Sequence, residues 1–484
     1  MESEKPPKDF SYSKASSILY CSLKLTAIFL LTIVPLLFIL SSPTSTATTL
    51  TLSYLHQWRK ALYRNATKEL DDMNAKLQDS VTFLPLKDLR FANKPMEGHT
   101  WFMSSLNDTF EEGETQHIYF PSETSNGRLL CINGRNQHDG SMNSYGLAWP
   151  GSLPSTATLL PGLTFVSDTY YDHENLWHGL CAVTPFVGWH MKNQCREKPT
   201  RWVLFHQGEV RTRTGSWVQN IMRATFEEEM KVEYFNQEES SSSSSSSSYK
   251  GAYCFEKAVV MRHNEGKMGQ ERRLKVYNML RCKTRQFCNM DFKDDSTSSR
   301  DKAVIRLTLL MRKGARSFKN ESAVIQIFKR ECERVENCKL TVAQSENLGF
   351  CDQVKLLSST DIVATPHGAQ LTNMVFMDRN SSVMEFFPKG WLKHAGVGQY
   401  VFQWLASWAG ISHEGAWWDP NGESCPYPEN DFRCFTEIYK NGRVGYNESY
   451  FADWARRVID AAKAKKQAQA SNLQHEGSSN CECS

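Results

Sequence analysis

The segment from Asp361 to Pro388 has the pattern of a strand, a tight turn and a helix that could hold an anion. Its first residues (DIVA) are typical of a buried strand, and the following Pro-His-Gly predicts a turn before a helix. A helix N-terminus offers unpaired N–H groups and a positive dipole end, which suit a diphosphate. His367 would donate to that anion, while Gly368 and Ala369 leave room for close backbone approach. A purely structural turn would give the same pattern.

A basic cluster follows directly on an apolar run. Residues 303–311 (AVIRLTLLM) predict a strand, and Arg312, Lys313 and Arg316 come at or just after its end. Guanidinium groups bind phosphate oxygens through paired hydrogen bonds, so Arg312 and Arg316 are candidates for further diphosphate contacts. A solvated surface with no ligand is the alternative interpretation.

Glu385 is a carboxylate within an otherwise apolar strand pattern, SVMEFF at 382–387. A buried carboxylate needs a partner because its desolvation is unfavourable. A ribose diol of a bound nucleotide is one candidate partner, and a structural arginine is the other.

The elements that must position these residues alternate between strand and helix from residue 302 onward. This βαβαβ pattern predicts a parallel sheet with both faces covered. Ligands bind such sheets at the carboxyl ends of the strands, where the candidate groups would meet. Earlier in the chain, three apolar runs also predict buried strands, at Leu159–Val166, Trp202–Phe205 and Ala258–Met261.

Length and charge narrow the class of protein. At 484 residues the chain is long enough for two domains. The formal net charge of +3 does not favour a nucleic-acid partner, which usually requires a concentrated basic face. A nine-serine run, 240–248, cannot bury apolar area and predicts a disordered loop over 238–250.

The N-terminal segment predicts a membrane anchor. Residues 25–40 form an uninterrupted apolar run, and the stretch 18–40 is long enough to span a bilayer if Lys24 extends to the interface. Lysines precede the run, and the stretch after it is uncharged, so the N-terminus is expected in the cytosol. A signal peptide cleaved near Ala47 is the alternative.

Cysteines and sequons agree with a lumenal location. Thirteen of the 14 cysteines follow the anchor, as expected for disulfides in an oxidising compartment. Proximity in the sequence suggests the pairs Cys282–Cys288, Cys332–Cys338 and Cys425–Cys434. Candidate N-glycosylation sites are Asn65, Asn107, Asn320, Asn380 and Asn447.

Together the motifs resemble glycosyltransferase family 61, which includes plant xylan arabinosyl- and xylosyltransferases and animal O-linked N-acetylglucosamine transferases. The shared patterns are Arg-x-x-x-Arg-x-x-x-Asn-Glu at 312–321 and His-Gly-Ala-x-Leu-Thr-Asn at 367–373. Glu385 and Pro388 follow in the family's order. The resemblance is specific over about 300–390, looser before it, and closest to plant members.

This resemblance implies an inverting transfer from a nucleotide sugar on a GT-B fold, in which two Rossmann-type domains are closed by a C-terminal helix. A base would take the acceptor's proton while protein groups neutralise the leaving diphosphate. The groups expected on the diphosphate are Arg312, Arg316, His367, Gly368 and Ala369, with Glu385 on the nucleoside. Because the chain has no Asp-x-Asp motif, neither a metal nor another cofactor is expected.

The family motif that carries the catalytic base is matched only in part. The family's Asn-x-x-His-x-x-x-Asp is matched only at Asn175 and His178, because Ala182 stands where the family has Asp. His178 is expected as the base, assisted by Asp172 or Glu174. In addition, Gln370 occupies a position where the family often has Gly.

The sequence therefore predicts a Golgi type II membrane glycosyltransferase acting in the lumen on a xylan-type polysaccharide or a glycoprotein glycan. Expected partners are the UDP-sugar, the acceptor, the membrane and other Golgi transferases in a complex. A catalytically impaired relative serving as a glycan-binding or complex scaffold is the alternative, and a secreted hydrolase is a weaker one. The expected segments are a cytosolic tail (1–17), anchor (18–40), stem (41–80), acceptor-side domain (81–300), nucleotide-sugar domain (301–445) and closing helix with disordered tail (446–484).

Overall fold

The computed structural model divides into two compact units, Met1–Gln78 and Asp79–Ser484. Residues 45–79, 81–89, 111–134, 139–168, 174–232, 251–261, 268–290, 304–428 and 430–472 are described, together with 32–34, 37, 481 and 483. The whole serine-rich loop, 238–250, lies outside the described residues, so its disorder stays a prediction.

The first unit contains one long helix, α1 (Ser45–Asp79). This helix lies within the predicted stem, 41–80. Within the described residues, no helix combines the length and the apolar content that a membrane crossing requires. Most of the predicted anchor, 18–40, lies outside the described residues, so it stays a prediction.

The N-terminal part of the second unit contains a nine-stranded sheet among its described residues. Its strands are β1 (Leu84–Pro85), β2 (His117–Phe120), β3 (Leu129–Asn133), β4 (Ser144–Ala148), β5 (Thr158–Asp168), β6 (Pro199–His206), β7 (Glu209–Val210), β8 (Lys231–Val232) and β9 (Tyr253–Met261). The helices of this part are α2 (Leu176–Lys192), α3 (Ser216–Phe226) and α4 (Gln270–Phe287).

This first sheet is mixed, which differs from the expected Rossmann type. Strands β9, β5 and β6 are parallel neighbours, and all three apolar runs predicted as strands are confirmed in them. Antiparallel strands β2, β3 and β4 extend the sheet. β3 and β4 are joined by the short segment 134–143, which has no room for the helical crossover that parallel pairing requires, whereas β2 and β3 pair with the distant β9.

The second sheet is entirely parallel. Its strands are β10 (Ile305–Met311), β11 (Cys338–Gln344), β12 (Ile362–Pro366), β13 (Ser382–Phe387) and β14 (Ser412–Trp418). The helices are α5 (Glu321–Glu333), α6 (Phe350–Ser358), α7 (Trp391–His394), α8 (Val401–Ala409) and α9 (Glu448–Asn472). Every residue of β12 and β13 is buried, as expected for strands whose two faces are both covered.

The strand order of this sheet is β11-β10-β12-β13-β14, so the direction in which successive strands are added reverses between β10 and β12, although all the strands are parallel. Such a reversal opens a crevice at the carboxyl ends of the two strands, and that crevice is the usual ligand site of a doubly wound sheet. The predicted βαβαβ pattern is confirmed here. One difference is local: residues Ala369–Phe376 form a 3-10 helix.

A shared core connects the two sheets within the second unit. One continuous cluster contains Phe165 and Trp217 from the first part and Phe376 and Phe402 from the second. Across it, the indole Nε1 of Trp217 donates a hydrogen bond to Oδ1 of Asn373 at 2.8 Å. The motif residue Asn373 therefore has a structural role in joining the two parts.

Six disulfides stabilise the second unit, and two of the three suggested pairs are confirmed. The pairs are Cys131–Cys254, Cys195–Cys483, Cys282–Cys481, Cys288–Cys351, Cys332–Cys338 and Cys425–Cys434. The suggested pair Cys282–Cys288 is wrong. These residues lie on and directly after α4, where six residues of helix separate them by about 9 Å along the axis.

Candidate functional site

Two arginines lie at the carboxyl end of β10, beside the crevice of the second sheet. Arg312 directly follows the strand, and Arg316 lies four residues farther on. Arg316 adopts a left-handed backbone conformation with φ of 63°. Its N–H donates to the carbonyl oxygen of Gly442 at 2.9 Å, and this bond fixes the turn against a neighbouring loop.

These arginines have no directly bonded carboxylate among the described residues, although the charge of Glu346 acts on Arg312. Among the described residues, no carboxylate forms a salt bridge with Arg312 or Arg316, and the Nε atom of each is buried without a hydrogen-bond partner. Burial lowers the pKa of Arg312. Burial, and to a smaller extent the charge of Arg312, lowers the pKa of Arg316 to about 10. Such an arrangement has room for an anion that would supply the missing negative charge.

The turn after β12 brings the backbone close to Arg312. Nη1 of Arg312 donates to the carbonyl oxygen of His367 at 3.1 Å. A Cβ atom on Gly368 would lie 2.0 Å from that same Nη1. Glycine is therefore needed here because the guanidinium packs on the turn, and the predicted close approach is made by Arg312 itself.

His367 belongs to a buried row of three titratable side chains. Its Nδ1 lies 2.5 Å from Oε1 of Glu385, and Oε2 of Glu385 lies 2.9 Å from Nε2 of His413. Burial alone would raise the pKa of Glu385, but the hydrogen bonds from both histidines hold it below its ordinary value. Burial lowers the pKa of His367, although Glu385 opposes that effect. With Glu385 ionised, Nδ1 of His367 donates to it, and Nε2 remains for a ligand.

An aromatic wall surrounds His367. The ring of Trp391 lies 4.4 Å away, that of Phe387 lies 4.6 Å away, and that of Phe402 lies 5.2 Å away, centroid to centroid. The guanidinium carbon of Arg316 lies 5.5 Å from the centre of the Trp391 ring. The wall keeps the imidazole in place and makes the surroundings of the charged groups less polar.

The side chain of Gln370 turns back toward β12. Its Nε2 donates to Oγ1 of Thr365 at 3.1 Å and to the carbonyl oxygen of Pro366 at 3.4 Å. Ala369 begins the 3-10 helix directly after Gly368. A glutamine at this family position is thus accommodated by bonds to its own turn.

Residues 198–384 match the family model described as Glycosyltransferase 61. This segment is similar to glycosyltransferase family 61. The matched segment includes both arginines and the turn at His367, and it ends one residue before Glu385. The resemblance noted from the sequence is therefore confirmed at the level of the family.

Other comparisons add nothing to the argument about function. No curated protein matches the chain. An oxidoreductase from Corynebacterium diphtheriae is 13% identical, covering 34% of this chain and 98% of its own, with a TM-score of 0.23. A metal-soaked flavodiiron core from Synechocystis sp. PCC6803 is 12% identical over 46% of each chain, also with a TM-score of 0.23.

The candidate base lies at the start of α2, outside the segment that matches the family model. His178 is in the first turn of the helix, which Asn175 caps by accepting a hydrogen bond from the N–H of Trp177 at 3.0 Å. The ring of Trp177 packs against Phe402 at 5.8 Å, and Phe402 in turn contacts His367. A single phenylalanine thus connects the two predicted parts of the site.

The predicted partners of His178 are placed less favourably. Asp172 lies outside the described residues. Glu174 forms an exposed salt bridge with Arg213 at 3.2 Å. Ala182, at the position of the family's aspartate, is buried in the core. The roles of His178 and Asp172 stay predictions.

Sequence reasoning did not identify His413 as part of this site. The strand that carries it, SHEGAWW, contains no motif, and its histidine reaches Glu385 only because β13 and β14 pair in parallel. The pairing of Val383 with His413 could not be deduced from the spacing of 30 residues between them. The only feature of the sequence that could have indicated a role for His413 is its position as a polar residue near the start of a strand rich in aromatic residues.

Four of the candidate glycosylation residues are described, and each is exposed: Asn65, Asn320, Asn380 and Asn447. The fifth, Asn107, lies outside the described residues. Within the part of the chain that the structure describes, no three His, Cys, Asp or Glu side chains converge as metal ligands would.

Proposed function

We propose that the chain is an inverting glycosyltransferase that moves a sugar from a UDP-sugar to a xylan-type polysaccharide or a glycoprotein glycan. The match of 198–384 to the family 61 model supports glycosyl transfer. The observation that carries the finer proposal is the pair Arg312 and Arg316, which are half-buried at the crevice between β10 and β12 and whose buried Nε atoms have no hydrogen-bond partner. A diphosphate is the ligand whose charge and oxygen geometry fit two guanidinium groups.

In the proposed reaction the acceptor oxygen attacks the anomeric carbon of the donor from the face opposite the diphosphate. The bond from that carbon to the phosphate oxygen breaks, and the diphosphate leaves with the electron pair. Arg312, Arg316 and His367 stabilise the charge that develops on it, with the N–H groups of Gly368 and Ala369 nearby. His178, assisted by Asp172, takes the proton of the acceptor hydroxyl. One displacement inverts the anomeric configuration.

Glu385 was predicted to contact the nucleoside, and that contact stays a prediction. Both of its carboxylate oxygens are within hydrogen-bond distance of histidine nitrogens. This geometry favours a different role within the proposal, in which Glu385 orients His367 and fixes its tautomer.

The remaining parts of the proposal concern fold, cofactors and location. A GT-B arrangement is consistent with the parallel second sheet, which would hold the donor. We expect no metal requirement, because arginines would neutralise the diphosphate. Six disulfides favour an oxidising compartment, which agrees with a Golgi lumenal protein anchored through 18–40 and associated with other transferases.

Calorimetry with UDP tests the donor site. Wild-type protein should bind UDP, and Arg316→Ala should weaken binding by about ten- to a hundred-fold, the range expected for lost hydrogen bonds to charged groups. Lys313→Ala is the matched control because it removes an exposed positive charge from the same segment. Equal UDP affinity in Arg316→Ala and Lys313→Ala would contradict the diphosphate assignment.

Product analysis separates the enzyme from a scaffold. The chain should convert UDP-sugars in the presence of xylan-type acceptors, with an inverted anomeric centre by NMR and with activity retained in EDTA. If the chain binds UDP in calorimetry but transfers no sugar to any of a panel of acceptors, the result would favour the glycan-binding scaffold. Loss of activity in EDTA that Mn²⁺ restores would contradict metal independence.

A further inference from the structure

The outer face of α8 carries aromatic side chains where a helix at a protein surface normally carries polar ones. Tyr400, Trp404 and Trp408 lie four residues apart and therefore share one face of the helical segment. Tyr400 is 42% exposed and Trp404 is 41% exposed. The opposite face of α8 is buried through Phe402, and Trp408 packs partly against the core, so the exposed rings are those of Tyr400 and Trp404.

These rings form a continuous row with a fourth one. Ring centroids are separated by 6.2 Å from Tyr400 to Trp404, by 6.5 Å from Trp404 to Trp408 and by 6.2 Å from Trp408 to Trp177. The planes of successive rings differ by 33°, 25° and 16°. We call these four residues the aromatic row. Its rings are close to parallel, so a ligand made of successive flat units can contact several of them together.

One end of the row lies at the candidate site. Trp177 immediately precedes His178, and its ring contacts Phe402, which contacts His367. Arg273 from α4 covers the Trp408 ring, with its guanidinium carbon 4.2 Å from the ring centre. The exposed end, at Tyr400 and Trp404, therefore leads toward the place where the diphosphate and the base would meet.

The chemistry of the row favours a neutral ligand with ring faces. Residues 395–412 contain no Asp, Glu, Lys or Arg, so the segment that carries Tyr400 and Trp404 has no charge of its own, and the guanidinium of Arg273 lies over Trp408 farther along the row. Sugar rings present C–H groups on their faces, and these groups pack on aromatic faces while the hydroxyls remain in water. A row of four rings suits a linear chain of sugars better than a single sugar.

We propose that the aromatic row binds the acceptor, a neutral linear oligosaccharide or polysaccharide chain, and directs its end toward His178 and His367. This inference rests on the proposed transferase function and specifies the class of its acceptor. Tyr400 and Trp404 would bind sugars away from the reaction, and Trp177 would bind those next to it.

The test uses the full chain and xylohexaose and cellohexaose as probes, with binding measured by calorimetry. Wild type should bind at least one hexaose, and Trp404→Ala and Tyr400→Ala should each weaken that binding about three- to ten-fold, as expected for one lost aromatic contact. Trp149→Ala is the matched control, since Trp149 is 38% exposed and lies at the end of β4 in the other sheet. UDP affinity should be the same in all of these proteins.

Three results would overturn the proposal. The first is that Trp404→Ala and Tyr400→Ala bind the hexaose as tightly as Trp149→Ala does, and the second is that a wild type that binds UDP binds neither hexaose. The third is that Trp404→Ala converts a dimer to a monomer in sedimentation. The last result would identify the row as an interface between copies of the chain. Hexaose binding that depends on the row in a protein without UDP affinity would support the row and refute the proposed transfer. The two proposals therefore fail separately.

Discussion

At the scale of single residues, the site depends on one carboxylate that no solvent reaches. Glu385 is fully buried and has a histidine on each oxygen. Its charge keeps the Nδ1 proton of His367 in place, and this fixes the tautomer in which Nε2 of His367 faces the ligand. The sequence indicated that Glu385 needs a partner, but both partners come from other strands and could not be read from local spacing.

We predict that Glu385→Gln lowers kcat by ten-fold or more, because an amide can accept from only one of the two histidines through its single oxygen. The unfolding free energy should fall by about 1–3 kcal/mol, the range for a buried hydrogen bond that is lost. Steady-state kinetics and denaturant unfolding measure both effects. Glu336→Gln, which changes an exposed acid in the turn before β11, is the control. An unchanged kcat would show that His367 does not need its carboxylate.

Gly368→Ala should weaken UDP binding with little loss of stability. The added Cβ would meet Nη1 of Arg312 at 2.0 Å and would displace the guanidinium from the turn. The backbone itself is not strained by alanine, since φ is 164°. We expect at least a ten-fold higher Kd for UDP by calorimetry. Gly398→Ala, where a Cβ meets nothing within 4 Å, should bind UDP as wild type does; equal affinities in the two variants would contradict the packing argument.

At the scale of elements, motif residues of the family also build the elements that position the site. Asn320 lies at the end of the arginine motif, and its Oδ1 accepts a hydrogen bond from the N–H of Ala323 at 3.0 Å, which caps α5. In the second sheet, β10, β12 and β13 were predictable because each is a mostly apolar run between helical segments, whereas β14 (SHEGAWW) is not. In the first sheet, the apolar runs of β5, β6 and β9 were predictable, but the antiparallel strands are short and their pairing depends on contacts distant in the sequence.

The cap at Asn320 can be separated from a glycan at the same residue. Asn320→Ala removes both and should lower the unfolding free energy by about 1 kcal/mol through the lost cap. Asn320→Asp removes the sequon but keeps a capping oxygen, so its stability should stay within about 0.5 kcal/mol of wild type. Both are measured by denaturant unfolding of glycan-free protein. If the two variants lose stability equally, the cap does not stabilise α5.

At the scale of the whole molecule, the chain end is joined to the core by covalent bonds. Cys481 and Cys483 are disulfide-bonded to Cys282 on α4 and to Cys195 beyond α2. Sequence proximity could not reveal these pairs, because they close loops of 199 and 288 residues. A disulfide constrains the unfolded chain more when its loop is longer, so these two should contribute most to stability in that respect.

The second unit should lose stability in mild acid through buried histidines. Burial lowers the pKa of His117 and of His190 to about 4. Because the unfolded chain titrates near 6.5, each group contributes stability that is fully present above that pH and is lost as pH falls toward 4. Between pH 7 and pH 5 the loss is about 2 kcal/mol for each histidine. The lowered pKa of His367 acts in the same direction.

His190→Gln should therefore flatten this pH dependence, although it lowers stability at pH 7. The difference in unfolding free energy between pH 7 and pH 5 should shrink by about 2 kcal/mol relative to wild type, because glutamine does not titrate. His206→Gln, a histidine that is only half-buried, provides the control for the loss of a histidine as such. Denaturant unfolding at the two pH values measures the slope. An equal slope in His190→Gln and wild type would mean that protonation of His190 is not coupled to unfolding.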